Sequence, residues 1–241
     1  MMPTRLFLPF ALLGLVVSVP LHGADAKYLP AGQPDALTLL APPAAPGSPE
    51  DQADADTAFR VYSAGTAEQR EVAKSESKLT IFHFAPEIGP WFQAGKFPKT
   101  EALFKEIEAE AKTVVNNGKD HWQRQRPYNA DPARFPGAVE HEGRTSYSYP
   151  SGHSTRGTVF AGVLAEIFPE QRDAIFVKGR QIGWYRVIGG VHYPADIYAG
   201  RVLGQAIVRE LLASPDFQRD LAAAKAEIAA AHPEPVPATA H

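Results

Sequence analysis

Apolar residues at helical spacing run through much of this sequence and constrain its fold more than any other feature. They recur every three or four positions over 101–117 and again over 151–168. Proline is favoured in the first turn of a helix, and prolines at such places predict further helices over 194–213 and 215–231. The sequence contains no strand-like alternation of useful length and no internal repeat. It therefore predicts an all-α fold, a single-domain bundle of several helices.

A Pro-rich segment precedes these helices. Six of the 22 prolines fall within residues 28–49. Because proline inside a helix removes a backbone hydrogen bond, this segment is predicted to be an extended arm that lies on the domain. The predicted boundaries are an arm at 27–50, an all-α domain at 51–231 and a flexible tail at 232–241.

Residues 1–26 have the pattern of a secretory signal peptide. Arg5 precedes the apolar stretch Leu6–Leu21, and Ala24-Asp25-Ala26 supplies a small-x-small cleavage site. The alternative is a membrane anchor that is not removed. No later apolar run approaches the ~20 residues that a membrane-spanning helix needs. We therefore expect the mature chain to be exported without a membrane span, and to be periplasmic if the source is Gram-negative.

Charge balance and cysteine content exclude several functional classes. Lys and Arg number 24, Asp and Glu number 27, and the formal net charge is −3, which argues against a strongly basic nucleic-acid-binding protein. No nucleic-acid partner is expected. The sequence contains no cysteine, so disulfide scaffolds, thiolate zinc sites, iron–sulfur clusters and a cysteine nucleophile are excluded.

The first cluster of interest carries two cations, Lys119 and Arg126. They are seven positions apart, which puts both on one side if the segment is helical. Gly118 is expected to interrupt the preceding helix at this point. Taken alone, the cluster is more simply interpreted as a solvated basic face.

The second cluster, Pro150-Ser151-Gly152-His153, opens a predicted helix. Free N–H groups and the positive dipole end make a helix N-terminus attractive to anions, and Gly152 lets an anion approach the backbone. The alternative is that Ser151 only caps the helix and His153 is a surface residue.

The third cluster comprises Arg186, His192 and Asp196. Arg186 offers a guanidinium for an oxyanion. An Asp close to a His can bond one ring nitrogen and leave the other nucleophilic. The alternative is a structural histidine next to an acid that the helix dipole favours.

Together the three clusters describe a site for a tetrahedral oxyanion, with an acid and a nucleophile. The carboxylate cluster that magnesium or calcium would need is absent from these motifs. His153, His192 and Asp196 could in principle bind zinc, but the neighbouring cations would oppose it. No metal is expected.

These motifs resemble a known three-part signature. Lys119-x6-Arg126-Pro127, Pro150-Ser151-Gly152-His153 and Arg186-x5-His192-x3-Asp196 look like that of the type-2 phosphatidate phosphatase superfamily, which includes the vanadium haloperoxidases. The arm and the Ser148–His153 segment are further similar to secreted bacterial class A non-specific acid phosphatases. Tyr185 stands where the family usually has Ser before the third-motif Arg, and Ser154 where class A usually has Thr.

The resemblance implies a metal-independent acid phosphatase that acts on small phosphomonoesters. It implies that His192 is the nucleophile that forms a phosphohistidine, that Asp196 orients it, and that His153 is the proton donor. It also implies that the phosphoryl oxygens are held by Lys119, Arg126, Ser151, Gly152 and Arg186. No cofactor is expected, and vanadate is expected to inhibit.

Three alternatives remain open on the sequence. Vanadate is isosteric with phosphate, so the same motifs fit a vanadate-dependent haloperoxidase, although the chain is short for one. A non-catalytic phosphate-binding protein would not need the two histidines. A lipid phosphatase is less consistent with a mature chain that has no membrane span. Neither the natural substrate nor the existence of a homo-oligomer follows from the sequence.

Overall fold

The computed structural model describes residues 26–138 and 146–232. Within them the regular structure is entirely helical and contains no strand, which confirms the all-α prediction. The α-helices are α1 (Ala36–Leu39), α2 (Pro49–Ala64), α3 (Ala67–Ser75), α4 (Ala85–Ile88), α5 (Pro98–Trp122), α6 (Pro127–Ala130), α7 (Gly152–Ile167), α8 (Arg172–Ile188), α9 (Pro194–Ala213) and α10 (Pro215–Ala231). Short 3₁₀ helices lie at Glu76–Lys78, Ile81–Phe84 and Pro169–Gln171.

Helix α7 lies at the centre of the bundle and packs against α8 and α9. Two glycines of α9 allow the close approach. A methyl group on Gly200 would lie 2.6 Å from the carbonyl oxygen of Ser151, and one on Gly204 would lie 2.9 Å from that of Thr155. Because real Cβ atoms do not come so close to a carbonyl oxygen, only glycine permits this packing. The start of α7 is thereby fixed beside the start of α9.

Side-chain caps fix where these two helices begin. Ser151 caps α7, because its Oγ accepts a hydrogen bond from the backbone N of Ser154 at 3.3 Å. Pro194 is the first residue of α9. In the same turn, Oδ2 of Asp196 accepts a hydrogen bond from the backbone N of Tyr193 at 2.9 Å. The caps set the backbone that carries the second and third motifs.

Helix α5 is longer than the predicted 101–117 at both ends. At its N-terminus the carboxylate of Glu227, on α10, accepts hydrogen bonds from the backbone N of Lys99 and of Thr100, both at 2.9 Å. At its C-terminus the expected interruption at Gly118 was wrong. A methyl group there would lie 2.9 Å from Cδ of Pro150, so this glycine serves close packing inside a continuous helix.

The arm contains one helical turn, α1, and two backbone turns, at 31–32 and 46–47, and it ends where α2 begins at Pro49. Helix α1 is capped by Asp35, whose Oδ1 accepts a hydrogen bond from the backbone N of Leu37 at 3.0 Å. The arm contacts the helical domain, where the hydroxyl of Tyr149 donates to the carbonyl oxygen of Ala41 at 2.6 Å.

The predicted signal peptide up to residue 25 and the predicted tail from residue 233 lie outside the described residues. His232, the last described residue, stacks on Trp91 with 4.2 Å between the ring centroids. Over 26–138 and 146–232, no helix is both long enough and apolar enough to cross a membrane.

Candidate active site

The three sequence clusters meet at one cavity of about 220 Å³. The end of α5, the start of α6, the first turns of α7 and the residue two before α9 all contribute to its wall. The predicted site residues that line it are Lys119, Arg126, Gly152, His153 and His192.

His192 and Asp196 form a buried pair next to this cavity. Nδ1 of His192 lies 3.1 Å from Oδ2 of Asp196. Burial on its own would raise the pKa of Asp196, but the hydrogen bond with His192 and the charge of Arg124 hold it well below its ordinary value. Asp196 is therefore a carboxylate, which only accepts hydrogen bonds, so Nδ1 of His192 carries a hydrogen.

The other ring nitrogen of His192 keeps its lone pair. Nε2 lies 3.2 Å from Nη1 of Arg126, and a guanidinium can only donate. Burial and the charge of Arg126 lower the pKa of His192 well below its ordinary value, although Asp196 opposes the shift. The ring is thus neutral, with a lone pair beside the cations of the cavity, which is the state that a nitrogen nucleophile needs.

Backbone carbonyls position the two cations of the first motif. Arg126 donates from Nη1 to Val191 O at 2.9 Å and from Nε to Ser146 O at 2.9 Å. Lys119 donates to Tyr147 O, and its Nζ lies 3.4 Å from Ser148 O. Because α5 ends at Trp122, Lys119 and Arg126 do not lie on one helix. Their seven-residue spacing therefore does not place them on one helix face.

The ionisation of Lys119 is perturbed by this setting. Burial, together with the nearby charge of Arg126, lowers the pKa of Lys119 to about 7. The side chain is therefore a cation in acidic solution and becomes a neutral amine above neutral pH.

His153 has a different environment from His192. Its Nε2 lies 3.1 Å from the carbonyl oxygen of Ser77, so Nε2 carries a hydrogen. Burial, followed by the charges of Arg186 and Arg156, lowers the pKa of His153 well below its ordinary value. A proton on this ring is therefore held weakly, which suits a group that gives it away.

Two predicted phosphate-binding residues lie outside the cavity wall. Oγ of Ser151 is engaged in capping α7, as described above. Arg186 is fully buried and donates from Nη1 to Ala73 O at 2.7 Å. Its charge acts on His153, while its predicted role in phosphate binding stays a prediction.

The sequence reasoning missed the groups behind Asp196. Ser148 Oγ donates to Asp196 Oδ2 at 2.5 Å, and Arg124 Nη1 donates to Oδ1 at 2.9 Å. Arg124 also donates from Nη2 to Asp54 at 2.8 Å and to Asp51 at 3.1 Å, both on α2, and lies over the ring of Tyr193 at 3.9 Å. Arg124 lies two positions before Arg126 in the first motif, but no local sequence pattern predicts its contact with α2.

Beyond the histidines, the cavity continues along one face of α5. From Lys119 back to Glu108 is 11 residues, about 16 Å along a helix axis. Lys112, Asn116 and Val115 line this stretch. The facing wall is α7, where Arg156 forms an ion pair with Glu108. The cleft is longer than a phosphate group, so it has room for a leaving group.

Comparison with known proteins identifies the chain. The family model described as the PAP2 superfamily matches residues 108–220, which include all eight predicted site residues. A non-specific acid phosphatase of Providencia stuartii is 31% identical over 222 residues, covering 85% of this chain and 86% of that protein. The chain belongs to the PAP2 superfamily.

Other relatives agree with this assignment. An acid phosphatase of Zymomonas mobilis is 27% identical over 199 residues, covering 80% of this chain and 75% of its own. A non-specific acid phosphatase of Salmonella typhimurium is 28% identical over 197 residues, covering 78% of each chain. The predicted enzyme class is confirmed: this PAP2 protein is a phosphatase, a phosphoric monoester hydrolase.

Proposed function

We propose that this phosphatase is an exported acid phosphatase that hydrolyses small phosphomonoesters through a phosphohistidine at His192. The observation that carries the proposal is the state of that imidazole. Asp196 fixes the hydrogen on Nδ1, and Nε2 keeps its lone pair beside Arg126 in the cavity. The sequence pattern of residues 1–26 supports export, to the periplasm if the source is Gram-negative.

In the first step, Nε2 of His192 attacks phosphorus and the bond from phosphorus to the leaving oxygen breaks. His153 gives its proton to that oxygen, so the alcohol leaves neutral. Asp196 stabilises the positive charge that develops on His192. Lys119 and Arg126 stabilise the phosphoryl oxygens, and the N–H groups at the start of α7 assist them.

In the second step, water attacks phosphorus and the bond between nitrogen and phosphorus breaks. His153, now neutral, accepts a proton from the water. The products are inorganic phosphate and the starting enzyme, with His153 protonated again for the next turnover. Ser151 and Arg186 are proposed to support phosphate binding.

Two pKa shifts support activity at acidic pH. Because burial and two arginines lower the pKa of His153, acidic solution or a bound phosphate anion is needed to populate its protonated form. Lys119, with a pKa of about 7, carries its charge only below neutral pH. Both groups are therefore in the required state on the acidic side.

We also propose that the reaction needs no metal or other cofactor. Among the described residues, no three or more His, Asp or Glu side chains are grouped to hold a metal ion, and the cavity wall carries several cations instead. Vanadate should inhibit, because its five-coordinate adduct on His192 would mimic the transition state.

The test has two parts. Hydrolysis of p-nitrophenyl phosphate is measured from about pH 4 to about pH 9, with and without EDTA. Separately, the enzyme is quenched rapidly into alkali during turnover of a substrate whose phosphoryl group is labelled. We expect full activity in EDTA and an acid-labile phosphoryl label that disappears in His192→Ala. The matched control is His121→Ala, an exposed histidine of α5, which should keep the label. A label that persists in His192→Ala would overturn the proposal, and vanadate-dependent halide oxidation without hydrolysis would favour a haloperoxidase.

A further inference from the structure

The chain segment that follows the predicted cleavage site is held by one carboxylate of α5. The backbone N of Lys27 and that of Tyr28 donate to Oε1 of Glu110 at 2.8 Å and 2.9 Å. The backbone N of Leu29 donates to Oε2 of Glu110 at 2.8 Å. We call Glu110 and residues 27–29 the N-terminal clamp.

The charge of Glu110 is not balanced by any described side chain. Glu110 is only 7% exposed, and within 26–138 and 146–232 no Lys, Arg or His side chain forms an ion pair with it. Its recorded partners are three neutral amide groups. Because a buried carboxylate is normally paired with a cation, the clamp has the chemistry of a site for a positively charged group.

The side chains of the same segment fix its position from the opposite side. Nζ of Lys27 lies 2.6 Å from Oδ2 of Asp220 on α10, and the hydroxyl of Tyr28 donates to the same oxygen at 2.8 Å. The Tyr28 ring meets Phe217 edge-on, with 5.7 Å between centroids. The backbone nitrogen of Lys27 is therefore held in place between α5 and α10.

We propose that Glu110 is the binding site for the α-ammonium group that signal-peptide cleavage creates at Lys27. The inference rests on the proposed cleavage after Ala26. Hydrolysis of the Ala26–Lys27 bond leaves a carboxylate on Ala26 and an amine on Lys27. A free α-amine has a pKa of roughly 7.7–8.0 and is mostly protonated at neutral pH. The nitrogen already lies at hydrogen-bond distance from Glu110, so cleavage replaces a neutral donor with a charged one in place.

Replacing the neutral amide with an ammonium group should make the folded chain more stable after signal-peptide cleavage. Before cleavage only the Glu110 carboxylate of this hydrogen bond is charged, and after cleavage both partners are, so the Coulomb attraction of an ion pair is added to the bond. The mature chain would therefore gain an ion pair that joins its first residue to α5. A chain that begins even one residue earlier would carry its ammonium group about 3.8 Å further along the backbone and would not form this pair.

The test compares two N-termini in two backgrounds by thermal unfolding. One chain begins at Lys27 and the other at Ala26, each with Glu110 or with Glu110→Gln. With Glu110 present, we expect the chain that begins at Lys27 to unfold about 3–6 °C higher. With Glu110→Gln, the two N-termini should unfold together. Glu106→Gln, a control on the same helix, should leave the difference unchanged.

The pH dependence gives a second readout in the unmutated background. Pairing with Glu110 raises the pKa of the α-ammonium group, so its stabilisation is complete below the unfolded value of about 8 and is lost as pH rises through the higher folded value. At neutral pH the α-amine of the chain that begins at Lys27 should also resist amine-reactive reagents. The pH dependence and the amine reactivity test the proposed binding of the α-ammonium group even if Glu110→Gln does not fold.

Several results would overturn the inference. They are equal unfolding temperatures for the two N-termini with Glu110 present, an equal difference in both backgrounds, or an α-amine that reacts as fast as a free one. An exported protein whose N-terminal sequence does not begin at Lys27 would remove the natural ligand of the site. None of these readouts uses phosphatase activity, so they fail or succeed independently of the catalytic proposal.

Discussion

The two cavity histidines are held in opposite ways. His192 has a charged partner at each ring nitrogen, Asp196 at Nδ1 and Arg126 at Nε2. The hydrogen bond recorded for His153 is to a neutral carbonyl oxygen, that of Ser77. The charges that act most strongly on His153 are positive.

The difference matches the tasks that we propose for the two rings. A nucleophile must keep its orientation and then accept positive charge, and a carboxylate behind the ring provides both. An acid must release a proton, and surrounding cations weaken its hold on that proton. Burial and arginine charges lower the pKa of both rings, and only at His192 does a carboxylate, that of Asp196, oppose the shift. Substitutions at each ring and at its neighbours therefore test the two environments separately.

The largest effect is expected from His192→Ala. Without the imidazole no phosphohistidine forms with any substrate, so kcat/KM should fall by about 10⁴-fold or more on alkyl and aryl phosphates alike. Steady-state kinetics with both substrate types measures this. A variant within tenfold of the parent on p-nitrophenyl phosphate would remove His192 from the reaction.

His153→Ala should lower the activity on alkyl phosphates and on p-nitrophenyl phosphate to different extents. Proton donation typically contributes ~10²–10⁴-fold, and a sugar or nucleoside phosphate needs it because an alkoxide is a poor leaving group. p-Nitrophenolate is a good leaving group and needs little help. We therefore expect a large loss on the alkyl ester and a much smaller one on p-nitrophenyl phosphate. Equal losses on both substrates would mean that His153 is structural.

The sequence carried more information about His192 than about its support. The spacing between His192 and Asp196 is local, since His192 lies two residues before α9 and Asp196 lies in its first turn, and a local pattern can be recognised without a fold. The ion pairs of Arg124 join residues about 70 positions apart, because α2 packs beside α9. Only the folded chain brings them together.

Helix boundaries were likewise predictable from the sequence only where the signal is local. The starts of α9 and α10 were predicted from Pro194 and from Ser214-Pro215, which are local signals. The start of α5 depends on Glu227, which lies on α10, and its passage through Gly118 depends on packing against Pro150. Neither contact is visible in the residues of α5 itself.

Arg124→Met should weaken the support of His192 without touching His153. It leaves Asp196 and Asp54 buried without their cation, which typically costs about 3–5 kcal/mol of the free energy of unfolding, and kcat should fall roughly tenfold. Because Arg124 lowers the pKa of Asp196, removing it raises that pKa. The stability difference should therefore shrink as pH falls and Asp196 becomes protonated.

Arg134→Met is the matched control for Arg124. Arg134 also pairs with an aspartate of α2, Asp56, and lies over an aromatic ring, that of Phe59, but it is far more exposed. Exposed pairs contribute only about 0–1 kcal/mol, and Arg134 is not among the charges that shift the pKa of Asp196 most. Equal effects of the two substitutions on denaturant unfolding and on kcat would contradict the positioning role of Arg124.

The smallest effect is expected from Lys119→Arg, and it appears only as a change in pH dependence. Burial and the charge of Arg126 lower the pKa of Lys119 to about 7, so above that pH its charged fraction falls about tenfold per pH unit. The KM of the parent enzyme should rise accordingly between about pH 7 and about pH 9, whereas a guanidinium stays charged throughout this range. Both enzymes meet the same ionisation of the substrate, so the ratio of their KM values isolates Lys119. Lys112→Arg, an exposed lysine that lines the same cavity, should follow the parent. Parallel KM profiles for the parent and Lys119→Arg would contradict this prediction, because titration of Lys119 would then not weaken substrate binding above neutral pH.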